Sequence, residues 1–302
     1  MELRNRFIKA ATFEGLTREH VVSDRLIEFH RRVAAGGVGM TTVAYCAVSE
    51  EGYGTPNEIL LSKDAVPGLA RLADAVHAEG AAVSAQIGHA GAVAANTGRR
   101  GLSPSPMFSV LAMRRTRVAS DGDVRRIIGE FADAARVVRD GGFDAVEIHL
   151  GHGYLPSEFL SPRLNRRDDD WGGTPEKRAR FAREICTAVR EAVGGELAVT
   201  AKLNMADGVR GGLWVDESVG VARMLEADGA LDAIELTAGS SLQNPMYLFR
   251  GEAPVHEMAA TMPKAIRPAF RMFGGRFIKE YPFEEAFLLP YARQFRAAVG
   301  MP

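Results

Sequence analysis

Four segments of this chain alternate in the same unusual way. At 81–87, Ala82, Ser84 and Gln86 fall on one side, and Val83, Ala85 and Ile87 on the other. At 145–149, Ala145, Glu147 and His149 oppose Val146 and Ile148. At 197–203, Ala198, Thr200 and Lys202 oppose Leu197, Val199, Ala201 and Leu203. At 232–237, Ala233, Glu235 and Thr237 oppose Ile234 and Leu236. Successive strand residues point to opposite faces, so each segment reads as a strand with one aliphatic and one small or polar face. An open doubly wound sheet covers its central strands with helices on both sides. Four polar faces in a row would be costly to bury there. A barrel resolves the conflict, because the aliphatic face meets an outer helix layer and the other face lines the interior and mouth.

Helical segments separate these strands. Apolar residues recur at helical spacing over 24–35, where Leu26, Ile27, Phe29, His30 and Val33 form the face, and Gly36-Gly37 closes it. Further helices are expected over 64–79, 122–139, 216–226 and 283–299. Another is opened by Thr174 as N-cap with Pro175 in its first turn and closed by Gly194-Gly195. Two earlier strands are expected at 5–12 and 38–43. The six strand–helix repeats argue for a parallel α/β fold. The strand ends Gln86, His149, Lys202 and Thr237 converge at the C-terminal mouth, where barrel enzymes place their chemistry. A long excursion over 88–120 is punctuated by Gly91, Gly98, Gly101, Pro104 and Pro106, and it carries Arg99, Arg100, Arg114, Arg115 and Arg117. Residues 239–278 show no clean periodicity and read as a long apolar loop or cap.

Composition narrows the function classes. A net charge of −1 without a basic tract gives no support for nucleic acid or an anionic membrane as partner. No apolar run reaches the roughly 18 residues of a membrane span, and no signal core opens the chain. The cytoplasm is therefore the expected setting. The two cysteines, Cys46 and Cys186, are far apart and exclude a four-cysteine iron–sulfur cluster within the chain.

Residues 143–178 hold the densest chemistry. His149, His152 and Tyr154 lie within six residues, followed by Phe159-Leu160-Ser161-Pro162, Asn165, Arg167, Asp169, Trp171, Gly172-Gly173 and Glu176-Lys177-Arg178. This order closely resembles the signature of the old yellow enzyme family, the flavin-dependent reductases that include 2,4-dienoyl-CoA reductases. Lys177 replaces the family's Asn. The stretch from Gln86 to Gly91 is similar to a second family motif, with Ala92 in place of its Arg. The resemblance implies a single domain over 1–302, a TIM (β/α)8 barrel of α/β class, truncated after about six strand–helix units. It also implies FMN as cofactor, NAD(P)H as reductant, and hydride transfer to the activated C=C of an enone or enoyl substrate. By the same resemblance, His149 and His152 hold the substrate carbonyl and Tyr154 protonates the alpha carbon. Ala10, Ala11 and Thr12 pass the flavin, Tyr45 offers its backbone, Gln86 bonds the pyrimidine edge, and Lys202 places positive charge near N1. Phe13 stands where the family carries a residue that bonds flavin O4.

Alternatives stay open at this point. Lys202 also has a plain structural reading, as a salt bridge to Glu147. Asn165, Arg167, Asp169 and Arg178 read as a buried network that fixes the loop. His89 and His256 read as surface or satisfied core residues. In the resembling family, two further strand–helix units hold the flavin phosphate. Their absence here opens a second reading, an incomplete flavin-free barrel without activity. Exposed edges beside the first and sixth strands imply local disorder or pairing with another chain, such as a homo-oligomer. A third reading is a metal hydrolase built on His149, His152 and Glu147.

Overall fold

The computed structural model describes residues 1–94, 100–109, 111–261, 264, 267–276 and 278–302. Gly98 and Arg99 of the excursion lie outside the described residues. Six parallel strands run in chain order through one sheet: β1 (Ile8–Lys9), β2 (Met40–Ala47), β3 (Ala82–Gly88), β4 (Ala145–Leu150), β5 (Ala198–Asn204) and β6 (Ala233–Thr237). A two-residue strand, Ile59–Leu60, adds to the end of β2. Each crossover carries a helix, in order α1 (Asp24–Ala35), α2 (Val66–His77), α3 (Asp121–Asp140), α4 (Pro175–Val193) and α5 (Val215–Asp228). The last helix, α6 (Leu289–Ala298), packs beside α5. This is a curved parallel sheet with an outer helix layer, the architecture of a truncated TIM barrel.

Local chemistry sets the helix ends. Ser23 accepts a hydrogen bond from the Leu26 amide to start α1. Ser120 and Asp123 form a reciprocal capping box on α3. Thr174 caps α4 as its sequence signals, accepting from the Lys177 amide with Pro175 in the first turn. Gly229 closes α5 in the left-handed conformation, at φ 68°.

The aliphatic faces fill the layer between sheet and helices. Val83, Ile87, Val146, Ile148, Val199 and Leu203 are fully buried there. They meet Leu69, Leu72 and Val76 of α2, Phe131 and Val138 of α3, and Ile185 and Val189 of α4 in one continuous core. Phe181 of α4 packs against Phe159 at 4.5 Å between ring centroids and edge-on to Trp171 at 6.5 Å. The DDDWGG loop is thereby pinned under the barrel wall.

Several boundaries differ from the sequence expectation. The first strand is two residues long instead of spanning 5–12, because it pairs only with Met40 and Thr41 of β2. Ala10–Thr12 continue beyond it as irregular backbone. A short helix, Leu155–Leu160, follows directly on the histidine loop, and its six residues are all buried. Six residues are too few for a periodic signal. The 88–120 excursion folds back through two small sheets, Leu102–Ser103 with Arg117–Val118, and Phe108–Ser109 with Arg114–Arg115. The expected loop at 239–278 contains short helices at Met246–Phe249, Val255–Thr261 and Arg267–Phe273.

Among the described residues the sheet does not close. β1 pairs on one side only, and Phe7, Ile8 and Phe13 are exposed along that edge. On the other edge, the Ile234 amide of β6 donates to the carbonyl of Pro302. Among the described residues no helix is long and apolar enough to cross a membrane.

Phe181→Ala removes a fully buried ring from the joint between α4 and the loop below it. It is expected to cost about 3–5 kcal/mol, read as a lowered denaturant midpoint at constant slope. A loss under about 1 kcal/mol would mean that this joint does not hold the barrel wall.

Candidate active site

The parallel register stacks the inner faces into layers. Gln86 lies level with Glu147, and Thr200 lies beside Glu147 on its other flank. One step nearer the mouth, Lys202 is level with both His149 and Glu235, and then Asn204 is level with Thr237. These side chains point into the barrel because every aliphatic neighbour points out.

The inner layer is a closed polar network. Gln86 Nε2 donates to Glu147 Oε1 at 2.6 Å, and Lys202 Nζ lies 3.6 Å from Glu147 Oε2. The tighter partner of Lys202 is Glu235. Burial, followed by the neighbouring Glu235, pushes the Glu147 carboxyl up to about 8 against the pull of Lys202. Glu235 is held below the usual carboxylate range despite its burial, through its hydrogen bond with Glu147 and the Lys202 charge. Glu147 therefore carries the proton of the pair and Glu235 the charge. The salt bridge expected between Lys202 and Glu147 exists, but its principal anion is Glu235, one strand further on.

The histidine loop is fixed by the next two strands. The His152 amide donates to Asn204 Oδ1 at 3.0 Å, and the Ser241 amide donates to the His152 carbonyl at 2.8 Å. His152 itself sits at φ 59°, a conformation that L-residues hold only under constraint. Gly153 follows at φ 74°, and a Cβ there would come within 2.5 Å of Ser240 Oγ. Glycine is required at that close approach. The loop thus turns both imidazoles back over the mouth.

The imidazoles are chained. His152 Nε2 is 2.8 Å from Thr237 Oγ1, and His152 Nδ1 is 3.3 Å from His149 Nε2. His149 Nδ1 is buried with no partner. Burial, then the positive charges of His152 and Lys202, holds His149 well below the usual imidazole range. Burial and Lys202 bring His152 to about 4. Both rings are neutral at pH 7. Tyr154 packs on His149 at 4.6 Å between centroids and on Tyr45 at 5.1 Å. Burial raises the Tyr154 hydroxyl above its ordinary range, with Glu58 adding to the effect, so it stays protonated.

The expected site residues fall into two groups. His149, His152, Tyr154 and Tyr45 meet at the mouth, with Lys202 level with His149 and Gln86 one layer below. Ala11 packs against the Tyr45 cluster, whereas Ala10 and Thr12 are exposed beside it. Tyr45 contributes more than the backbone anticipated from the sequence. Its ring contacts both Tyr154 and His149, and its buried hydroxyl has no partner. Asn204 and Ser240 are parts of the site that the sequence does not single out. Thr237 was visible as a polar strand end, but its partner lies 85 residues earlier. His89 is fully buried and half satisfied: Nδ1 accepts from the Gly91 amide, and Nε2 has no partner. The expected scaffold is present too. Asn165 Nδ2 bonds the carbonyls of Phe159 and Trp171, and Arg178 bonds Leu160 O, Gly173 O and Glu217. The metal reading finds no ligand set, because no group of three candidate ligands converges among the described residues.

Donors suited to an isoalloxazine ring are present in this mouth. An ammonium group and a carboxamide flank Glu147 in the barrel, and backbone without large side chains passes at Ala10 and Ala11.

The model of the NADH:flavin oxidoreductase / NADH oxidase family matches residues 1–242, and the chain belongs to that family. It is 52% identical over 304 residues to a 4,4'-dithiodibutanoate disulfide reductase from Rhodococcus erythropolis, covering all of this chain and 75% of that protein. It is 30% identical over 312 residues to a multifunctional alkene reductase/demethylase OYE from Caballeronia cordobensis, covering 99% of this chain and 41% of that protein. Among solved structures, a 2-naphthoyl-CoA reductase in complex with 2-naphthoyl-CoA superposes with a TM-score of 0.83 at 27% identity. That match covers 99% of this chain and 44% of the other. The chain thus spans less than half the length of two of these three relatives.

The neutral histidines give a pH prediction. An imidazole whose folded pKa is depressed contributes stability that is present above about 6.5 and lost as pH falls through the folded value, here about 4 for His152. Wild-type protein is expected to lose more stability between pH 7 and pH 5 than His152→Asn does, measured by denaturant unfolding at both values. Equal losses would show that His152 is not held neutral by the fold.

Proposed function

We propose that this member of the flavin oxidoreductase family binds FMN at the barrel mouth and uses NAD(P)H to reduce the activated C=C bond of an α,β-unsaturated carbonyl compound. The observation that carries the reading is the convergence of two neutral imidazoles and one protonated phenol at a mouth whose inner wall holds a lysine and a glutamine. FMN, when bound, supplies the two-electron carrier that takes hydride from NAD(P)H and gives it to the substrate. Gln86 would bond the pyrimidine edge of the ring, and Lys202 would stand near N1 with its charge partly offset by Glu235.

The remaining work belongs to this chain. In the proposed tautomers Thr237 donates its hydroxyl to His152 Nε2 and His152 Nδ1–H donates to His149 Nε2, which leaves His149 Nδ1–H for a ligand. In this arrangement a neutral donor, already desolvated, meets a carbonyl oxygen as negative charge develops on it. Tyr154 gives its proton to the alpha carbon, and its raised pKa keeps that proton available at neutral pH. The balance is alkene, NAD(P)H and one proton in, saturated carbonyl and NAD(P)+ out.

The 52% identity to the disulfide reductase favours a second acceptor on the same site. Two electrons then cleave the S–S bond, and Tyr154 protonates a departing sulfur, so that disulfide, NAD(P)H and one proton give two thiols and NAD(P)+. A flavin-free, inactive fragment finds no support in the family match. A cytoplasmic setting, a small-molecule acceptor and self-association through the open edges belong to the same proposal.

Rapid mixing of FMN-loaded, NADPH-reduced protein under nitrogen tests it. Cyclohexenone or a dialkyl disulfide is expected to restore the oxidised flavin spectrum, and the faster one identifies the acceptor class. Tyr154→Phe is expected to slow that step by about 10²–10⁴-fold. Reoxidation by neither acceptor, or an undiminished rate in Tyr154→Phe, would refute the assignment.

A further inference from the structure

A second cleft lies beside the histidine loop, and its chemistry is unlike that of the mouth. It encloses a volume of about 350 Å³ between residues 208–210, residues 243–245 and the 278–281 segment, with Arg163 on its rim. Three cations, Arg163, Arg210 and Lys279, line it, and no acidic residue does. Among the described residues none of the three has a carboxylate partner: Arg163 donates to the Arg210 carbonyl at 2.9 Å, and Lys279 lies over the Tyr281 ring at 4.7 Å. Three uncompensated positive charges around one concavity raise the local concentration of anions.

Neutral donors complete the cleft. Asn244 Nδ2 donates to Tyr281 Oη at 2.8 Å and to Gly208 O at 2.7 Å. The Tyr281 oxygen accepts there, which leaves its own proton free to donate. The Gln243 carboxamide has a buried oxygen with no partner. Its oxygen and nitrogen are interchangeable by a flip of the amide, which would present its NH₂ to an anionic ligand.

The cleft is wired to the catalytic loop. Ser240 bridges to Asn244 across a tight turn and bridges on its other side to His152. Each bridge spaces its residues by roughly 5 Å, so Asn244 lies within about 10 Å of His152. An anion lodged between the three cations would therefore lie one short molecular span from the imidazoles.

We propose that this cleft is a subsite for an anionic oxygen group, a carboxylate or a phosphate, borne by a molecule whose other end reaches the catalytic mouth. The two sources are a carboxylate at the far end of the acceptor and the phosphate of NADPH. The catalytic arms of the test rest on the proposed reductase activity, and the binding arm does not.

In the catalytic arms, an unsaturated ketone with a terminal carboxylate four methylene groups from the alkene is compared with its methyl ester. The expected result is a KM about tenfold lower for the acid, with that preference collapsing in Arg210→Gln/Lys279→Gln. If the phosphate of NADPH is the occupant, the same variant instead loses its discrimination between NADPH and NADH. In the binding arm, calorimetry follows adipate and inorganic phosphate added to wild-type protein. Heat of binding that disappears in the double variant supports the subsite even where no substrate turns over. Neither anion binding to wild type, or binding that is undiminished in the variant, overturns it.

Discussion

A parallel sheet whose inner face is polar can exist only if each inward side chain finds a partner before water is excluded. Here the strand register supplies the partners. Gln86, Glu147, Lys202 and Glu235 come from four successive strands and meet across two adjacent layers. An isolated buried lysine would cost several kcal/mol, and a second uncompensated carboxylate beside it would add to that cost. Sharing one proton between Glu147 and Glu235 leaves the set with one cation and one anion. A shift of any strand by one residue would send this set into the helix layer and the aliphatic residues into the mouth. The polar network and the register therefore fix each other.

The same network sets the chemistry of the mouth. Lys202 lies level with His149, and its charge is among the influences that keep both imidazoles neutral. Neutral rings can be chained from Thr237 through His152 to His149, whereas two imidazolium ions 3.3 Å apart would repel. The strained His152 backbone persists because Asn204, at the end of β5, and Ser241, in the loop after β6, hold it. Preorganisation here is thus supplied by strands β5 and β6 to a loop that leaves β4.

Much of this was legible in the sequence. The two-residue alternation of 81–87, 145–149, 197–203 and 232–237 gave the strands, their inner faces and the barrel. Thr174-Pro175 located the start of α4. The His149, His152 and Tyr154 cluster followed from its motif. What escaped is what sequence spacing does not encode. The Glu235 partner of Lys202 depends on which strands are neighbours and in what register. The Thr237 contact joins residues 85 apart. The Tyr45 ring takes its place from the path of β2 beside Tyr154, and Leu155–Leu160 is too short to show a helical period. The cationic cleft combines residues from four separate loops, none of which is notable by itself.

The central claim is that this chain, with its open sheet edge, builds a flavin site from the mouth residues of β1 to β6. The most direct measurement is an absorption spectrum of the purified protein titrated with FMN and then with NADPH under nitrogen. The account predicts bound-flavin bands at about 370 and 450 nm, quenched FMN fluorescence, and bleaching by NADPH. Protein that leaves added FMN freely fluorescent, with no spectral shift, would contradict it.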